Sequence, residues 1–290
     1  MNTTLARMPS AEGLYLKAAT TILRKPKGKP KLPPLGIEVK GVRVSGEQLA
    51  EYRKVCGFAD SHQLPITFPH VMAAALHLQL MTNPEFPLPL LGLVHVRNQI
   101  RQQRGLGSGE SYDFDVRIGE SREVRQGLEF DIDSRVTVDG EEVWSEVMTT
   151  LFRMPGPKQP GARPASSPGV ASLSEYIAVE APSDTGRRYA KVGKDFNPIH
   201  LAPFTAKLFG FKRHIAHGMW SAAHCAALLA ERVEGEPTVL DVQFRQPLFL
   251  PGRAALKFAH RAGAGAKGSG IDFALLASRS DKVHLTGVLR

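Results

Sequence analysis

The chain of 290 residues is long enough for one large or two ordinary domains with a substantial core. Its 42% hydrophobic and 22% charged residues are the balance of a globular protein rather than a disordered or fibrous one, and no apolar run reaches the roughly 18 to 20 residues that cross a bilayer. The net charge of +9 raises the question of an anionic partner, while two cysteines, Cys56 and Cys225, stand in no metal-ligand or redox spacing and are read as packing residues. The amino terminus lacks the pattern of a secretory signal, so the expected location is the cytoplasm.

Residues 1 to 40 carry eight Lys/Arg against two Glu, which concentrates the positive charge at one end. Residues 11 to 24 have a helical apolar pattern, expected to form a short amphipathic helix lying on the main body. The stretch from Arg24 to Lys31 is broken by Pro and Gly and reads as a solvated connector; the competing reading is attraction of a polyphosphate, RNA or a phosphorylated cofactor. No aromatic interleaving accompanies it, which argues against nucleic acid as a partner.

Ile37 to Val44 alternates like a strand, and Gly46 to Val55 reads as a short polar helix or turn. Val71 to Met81 is a helix apolar on nearly every side, expected to be buried on nearly every side and to stop before Asn83-Pro84. Strand patterns follow at Leu90 to Ile100, Ser111 to Ile118, Gly127 to Val138 and Val143 to Phe152, the last two joined by an Asp139-Gly140 turn. Residues 154 to 170 hold five Pro and three Gly and read as a linker.

Beyond it, Glu175 to Glu180 is strand-like and Ser183 opens a short helix leading into Tyr189 and the segment Gly193-Lys194-Asp195-Phe196-Asn197-Pro198-Ile199-His200. His217 to Arg232 is a second helix without a polar face, followed by strand patterns at Thr238 to Phe244, Arg253 to Arg261, Ile271 to Arg279 and Val283 to Val288. The two halves have the same order. Pro69 to Met72 against His217 to Trp220, and Val94 to Ile100 against Val242 to Leu248, fall at one separation of 148 positions, so helix and following strand superpose as an internal repeat.

Asp195 and His200 flank an Asn-Pro that discourages continued helix, which puts a carboxylate and an imidazole on an irregular turn. Each alone fits a turn-capping carboxylate or a loop histidine. Together, with His217-Gly218-Met219 opening the next helix, they make an acid/base pair. This region, from Tyr189 to His224, resembles the MaoC-type dehydratases, also called R-specific enoyl-CoA hydratases, on Tyr189, Asp195, Asn197, Pro198, His200 and His217-Gly218-Met219. The resemblance implies an α+β double hotdog, two fused units that each wrap a curved antiparallel sheet around a buried helix. It divides the chain into residues 1–34 (helix and basic connector), 35–153 (a non-catalytic hotdog), 154–173 (linker) and 174–290 (the catalytic hotdog). At the offset of 148, Glu47 and Tyr52 stand where the catalytic pair would be.

The resemblance also implies a hydro-lyase of fatty acid metabolism that reversibly hydrates trans-2-enoyl-CoA to (3R)-hydroxyacyl-CoA. Water would sit between Asp195 and His200, Asn197 would hold the turn or assist the water, and Gly218 would offer its N–H to the thioester carbonyl. Tyr189, His217, Met219 and Lys194 are the expected substrate contacts. Lys194 stands where the family usually has glycine, which bears on the backbone there and on the ionisation of Asp195. No metal or resident cofactor is expected, coenzyme A being part of the substrate, with Lys191, Lys207, Lys212 and Arg213 as nearby basic residues. An acyl-carrier protein is the alternative carrier, and the chain is expected as a monomeric pseudo-dimer or a homodimer. The competing readings are an acyl-thioesterase, an acyl-carrier-protein dehydratase, and a non-catalytic module binding acyl thioesters or nucleic acid. His224 and Ser221 are read as core or packing residues. Met72, Leu76, Leu80 and Met81 are read as a stripe that either lines an acyl channel or packs in the core.

Overall fold

A computed structural model describes residues 2–26, 28, 30–90, 92–154, 170–233, 235–261 and 270–290. Residues 155–169 of the expected linker, and Lys27 and Lys29 of the basic stretch, lie outside the described residues. The strands are β1 (Asn2–Leu5), β2 (Gly36–Arg43), β3 (Leu93–Gln102), β4 (Ser111–Val124), β5 (Gly127–Val138), β6 (Glu141–Arg153), β7 (Glu175–Ala181), β8 (Val239–Phe244), β9 (Gly252–His260), β10 (Ile271–Ala277) and β11 (Val283–Leu289). The helices are α1 (Ala11–Thr20), α2 (Gly46–Cys56), α3 (Phe68–Thr82), α4 (Thr185–Gly193), α5 (Pro198–Leu201), α6 (Pro203–Leu208) and α7 (Gly218–Leu229).

Local chemistry sets several of these limits. Ser45 accepts the Gln48 N–H at 3.3 Å to start α2, and Gly57 ends it in the left-handed conformation. Asp139 and Gly140 both take positive φ in the two-residue turn between β5 and β6, the geometry that matches strand twist in a hairpin.

Among the described residues eleven strands form one sheet in the order β1-β2-β4-β5-β6-β3-β8-β11-β10-β9-β7. Without β1 it divides into two sets of five with the same internal order, β2-β4-β5-β6-β3 and β7-β9-β10-β11-β8. They join where β3 pairs antiparallel with β8, Arg97 opposite Gln243 and Asn98 opposite Val242. The helix starts, Phe68 and Gly218, and the starts of the next strands, Leu93 and Val239, lie 150 and 146 positions apart, to either side of the offset read from the sequence.

Helix α3 packs on β2, β4 and β5, and α7 on β8 and β11. Fully buried Tyr52, Phe68, Phe86, Phe114, Phe130 and Trp144 fill the space around α3, each side chain contributing about 1.5–3 kcal/mol by leaving water. Around α7 the sheet approaches closely because Ala222, Ala223 and Ala226 present only methyl groups. Trp220 donates to the Val55 carbonyl at 3.1 Å, and His224 bonds the Cys56 carbonyl at 2.9 Å, tying α7 to α2. Cys56 and Cys225 are free and buried, and burial pushes both thiols up, as suits packing residues.

The N-terminal segment packs on the body as far as Arg24, while Lys25 and Lys31 of the basic stretch are exposed, as a solvated connector implies. Strand β1, which no sequence pattern indicated, adds in parallel to β2. Ala11, Leu14 and Ala18 of α1 pack with Ala75 and Leu78 of α3 and with Leu90. The Arg24 guanidinium donates to the carbonyls of Met81, Thr82, Asn83 and Leu88 at 2.7–3.2 Å. Three of these are at the end of α3, where carbonyls lack helical partners. Arg24 is thus engaged with backbone rather than offered to a polyphosphate.

Candidate active site

The turn expected at Asp195 is built by two interrupted helices. Helix α4 ends at Gly193, Lys194 follows in the left-handed conformation (φ 55°), and Pro198 starts α5 with Asn197 as its cap. Side chains other than glycine enter the left-handed region at a cost of roughly 1–2 kcal/mol. The glycine that the resemblance implies at this position would avoid that cost. Gly186 lets α4 press on the turn: a Cβ there would lie 1.9 Å from the His200 carbonyl oxygen.

Asp195, His200 and His217 converge, with one ligand-type atom of each within 4.8 Å of the others. Asp195 Oδ1 accepts the Tyr15 hydroxyl at 2.9 Å and the Asn197 N–H at 3.0 Å. Its Oδ2 is 3.8 Å from His217 Nε2. Burial alone would raise the Asp195 carboxyl, but His217, His200 and the two hydrogen-bond donors hold it below its ordinary value. His200 is buried, and its Nδ1–H donates to the Ile215 carbonyl at 2.8 Å, which leaves Nε2 as the free lone pair. Burial lowers His200, partly offset by Asp195, so the ring is neutral at pH 7. His217 stacks on His200 with ring centroids 3.8 Å apart, and its Nε2–H donates to the Asp195 main-chain carbonyl at 3.0 Å. Burial and the adjoining His200 push His217 down to about 3. His217 therefore acts as a neutral brace between the turn and α7.

Gly218 begins α7, whose first N–H groups have no intrahelical partner and mark the positive end of the helix dipole. A Cβ on Gly218 would stand 3.0 Å from the Phe244 ring, tighter than ordinary contact. Glycine there lets Phe244 close over the helix start.

These groups line a cavity of about 530 Å³. The structure brings Tyr189, Lys194, Asp195, Asn197, His200, His217, Gly218 and Met219 onto its wall, together with Ser221. Among the expected basic contacts only Lys194 is on the wall; Arg213 instead lies over the Phe249 ring at 5.9 Å. Arg97, Arg153 and Arg245 line it and were not singled out in the sequence. Of the α3 stripe, Met81 reaches the cavity while Leu76 and Leu80 are core. The face of α3 on the cavity is His70, Ala74, His77, Leu78 and Met81, because side chains three and four apart share a face.

The N-terminal half thus brings polar groups of its own. Glu47 is exposed, and Tyr52 is buried with its hydroxyl 2.8 Å from Thr67 Oγ1. In their place His70 Nδ1 lies 2.7 Å from Glu146 Oε1, and His77 Nε2 lies 3.8 Å from Glu146 Oε2. Either this set or Asp195, His200 and His217 has a donor composition that a divalent ion accepts.

Residues 161–270 match the MaoC like domain. Over nearly its whole length the chain is 31% identical to the 3-hydroxyacyl-thioester dehydratase X of Mycobacterium tuberculosis, across 287 residues covering 97% of this chain and 98% of the relative. The chain belongs to the MaoC-like dehydratase family. The crystal structure of that mycobacterial protein, HtdX, superposes with a TM-score of 0.73, covering 88% of this chain and 99% of HtdX. A second M. tuberculosis protein, described as a double hotdog fold, aligns at TM-score 0.56 and 10% identity over 91% of this chain and 96% of its own, a likeness of fold alone. The (R)-specific enoyl-CoA hydratase of Aeromonas caviae is 34% identical over 65 residues, 21% of this chain and 48% of the relative. The architecture of this family member is the double hotdog, as its strand order indicates.

Tyr15 is the residue of the site least visible in the sequence. It comes from α1, sits edge-on to Phe196 with centroids 5.7 Å apart, and reaches Asp195 from 180 positions away. No local period signals such a contact; a single aromatic residue in a helix of small, aliphatic and polar residues is the one available hint.

Proposed function

We propose that this protein is a hydro-lyase that reversibly hydrates trans-2-enoyl-CoA to (3R)-hydroxyacyl-CoA. The observation that carries the proposal is the gap between Asp195 and His200: a carboxylate oxygen and an imidazole nitrogen within 4.8 Å, both on the cavity wall beside the open start of α7. A water bridges such a gap with ordinary hydrogen bonds to each side. The names of the full-length and partial relatives, dehydratases and hydratases of acyl thioesters, support the same reaction.

In the hydration direction the water oxygen attacks C3 while the neutral His200 ring takes its proton at Nε2, its free lone pair. Asp195 Oδ2 holds the water and balances the imidazolium that forms. Electron density moves onto the thioester oxygen, which accepts the N–H at Gly218, and returns as His200 delivers the proton to C2. Asn197 keeps the turn closed and Tyr189 backs the His217 ring at 4.8 Å. Met219 lines the acyl pocket. Lys194 and Arg245 supply positive charge for coenzyme A phosphates. The chemistry needs no resident cofactor.

We assign the catalytic role to residues 174–290, a partner role to residues 35–153, and the connection to 154–173. The fused pair then does the work of two subunits. Purified protein with crotonyl-CoA and longer enoyl-CoAs tests the proposal through loss of enoyl absorbance without thiol release. Inactivity at every chain length, or full rate in Asp195→Asn and His200→Ala, would overturn it; thiol release would indicate a thioesterase.

A further inference from the structure

Two carboxylate-imidazole clusters open on one cavity. The second, Glu146 with His70 and His77, lies in the half without the Asp-x-Asn-Pro-x-His motif. The clusters differ in how the carboxylate is used. Asp195 and His200 stand apart with a gap for water, whereas Glu146 Oε1 is bonded directly to His70 Nδ1 at 2.7 Å and to Asn98 Nδ2 at 2.6 Å. No water fits between His70 and Glu146, so this pair is not a second water-activating site.

A carboxylate bound to Nδ1 fixes the ring and turns Nε2 the other way. His70 lines the cavity, and among the described residues no protein group pairs with its Nε2. Burial opposes charge on His70, but Glu146 raises it and so favours the protonated ring, in which Nε2 is a donor. Glu146 is fully buried, and its Oε2 has no hydrogen-bond partner among the described residues.

The location ties this donor to the substrate path. Phe244, whose ring closes over Gly218, also meets His95 edge-on with centroids 4.8 Å apart, and His95 lies 6.2 Å from His70. His70 shares the cavity wall with Ala74, Leu78 and Met81 on α3, an apolar run that suits an acyl chain. A saturated chain crossing that point would leave the His70 Nε2–H unpaired. An oxygen on the chain would accept it.

We propose that His70, held by Glu146, is a binding residue for a hydroxyl or carbonyl oxygen on the acyl chain beyond C3, so that the substrates are oxygenated acyl thioesters. The inference rests on the hydratase reading above and adds a substrate class to it. The non-catalytic half then selects the substrate as well as enclosing it.

The test compares kcat/KM for enoyl-CoA thioesters of equal length, one saturated beyond C3 and others carrying a hydroxyl or keto group at successive outer carbons. At one position the wild type is expected to favour the oxygenated chain by about tenfold or more. His70→Phe, which keeps a ring and removes the donor, is expected to bring that ratio near one, and His70→Gln to retain part of it. Turnover of saturated thioesters with no preference at any position overturns this inference alone. Inactivity on every thioester overturns the hydratase reading and this inference with it. About one equivalent of zinc in purified wild type, lost in Glu146→Gln, also overturns it, because the imidazoles would then face a metal.

Discussion

The hydroxyl of Tyr15 donates a 2.9 Å hydrogen bond to the Asp195 carboxylate, joining the first helix of the chain to a turn 180 positions later. Burial and the nearby Asp195 charge push the Tyr15 phenol up, so it remains a donor throughout the working pH range. Because α1 is itself packed on α3, the N-terminal segment contributes to the cavity wall and adds one of the hydrogen bonds that keep Asp195 ionised.

Tyr15→Phe keeps the ring against Phe196 and removes the bond. A hydrogen bond to a charged group is worth about 1.5–3 kcal/mol, and its loss lets the Asp195 pKa rise. The acid limb of the pH–rate profile is therefore expected to move upward by about one to two pH units, with the loss of activity greatest below pH 6 and small near pH 8. A profile superposable on wild type would remove Tyr15 from the mechanism.

Arg24 is expected to matter for stability and not for anion binding. Arg24→Met keeps much of the aliphatic stem and frees four carbonyls at the end of α3 and in the following loop, a loss of about 2–3 kcal/mol. Urea unfolding should show a lower midpoint, while retention of RNA on a filter should match wild type. Weaker RNA retention with an unchanged midpoint would restore the polyphosphate reading.

Lys194→Gly tests the backbone and the charge separately. Releasing a non-glycine residue from φ 55° is expected to stabilise the fold by about 0.5–1 kcal/mol. Loss of the ammonium beside the cavity should raise KM for a coenzyme A thioester more than it lowers kcat. If stability falls, the side chain contributes more to the fold than its backbone strain removes.

What could be read in advance follows from distance along the chain. Asp195, Asn197 and His200 lie within six positions, and His217-Gly218 at a helix start, so one local pattern contains them. The repeat was legible because both halves keep the same order of helix and strand at nearly the same spacing, the starts lying 25 and 21 positions apart. Tyr15 and the His70–Glu146 pair, 76 positions apart, are joined only when helices meet strands, and periodicity holds no record of such pairings. The α3 helix looked uniformly apolar because His70 and His77 are two residues among fifteen, yet they form its cavity face with Ala74, Leu78 and Met81.

Gly218→Ala adds a methyl 3.0 Å from the Phe244 ring, so ring and helix start must separate by some tenths of an ångström. A donor displaced from an oxyanion is worth roughly 10²- to 10³-fold in kcat when lost entirely; about 10- to 100-fold is expected here. Adding Phe244→Leu makes room and should recover part of the rate. If the double variant is no better than the single, the steric account of Gly218 fails.

Stability should fall as pH drops below 6.5, before most carboxylates titrate. His77 and His217 are 4% and 2% exposed, and burial is the largest cause holding both down, each to about 3. Their unfolded forms bind protons from about pH 6.5 downward. Between that pH and about 3 the unfolded state therefore holds more protons than the native state, and stability decreases as pH falls. Each histidine contributes about 1.4 kcal/mol per pH unit, close to 3 kcal/mol per unit together. Glu146, depressed to about 2 chiefly by His70 against the effect of burial, has the same sign in a lower window, its stabilisation fully present above about 4.5 and lost as pH falls toward 2. Urea titrations followed by the fluorescence of Trp144 and Trp220 at pH 7.5, 6.0 and 5.0 should give progressively lower midpoints. His217→Gln, whose side chain does not titrate, should flatten the slope by the share of one histidine. A midpoint constant from pH 7.5 to 5.0 would mean that both rings accept protons in the folded state, and His217 could not then be the neutral brace that holds Asp195 and His200 in place.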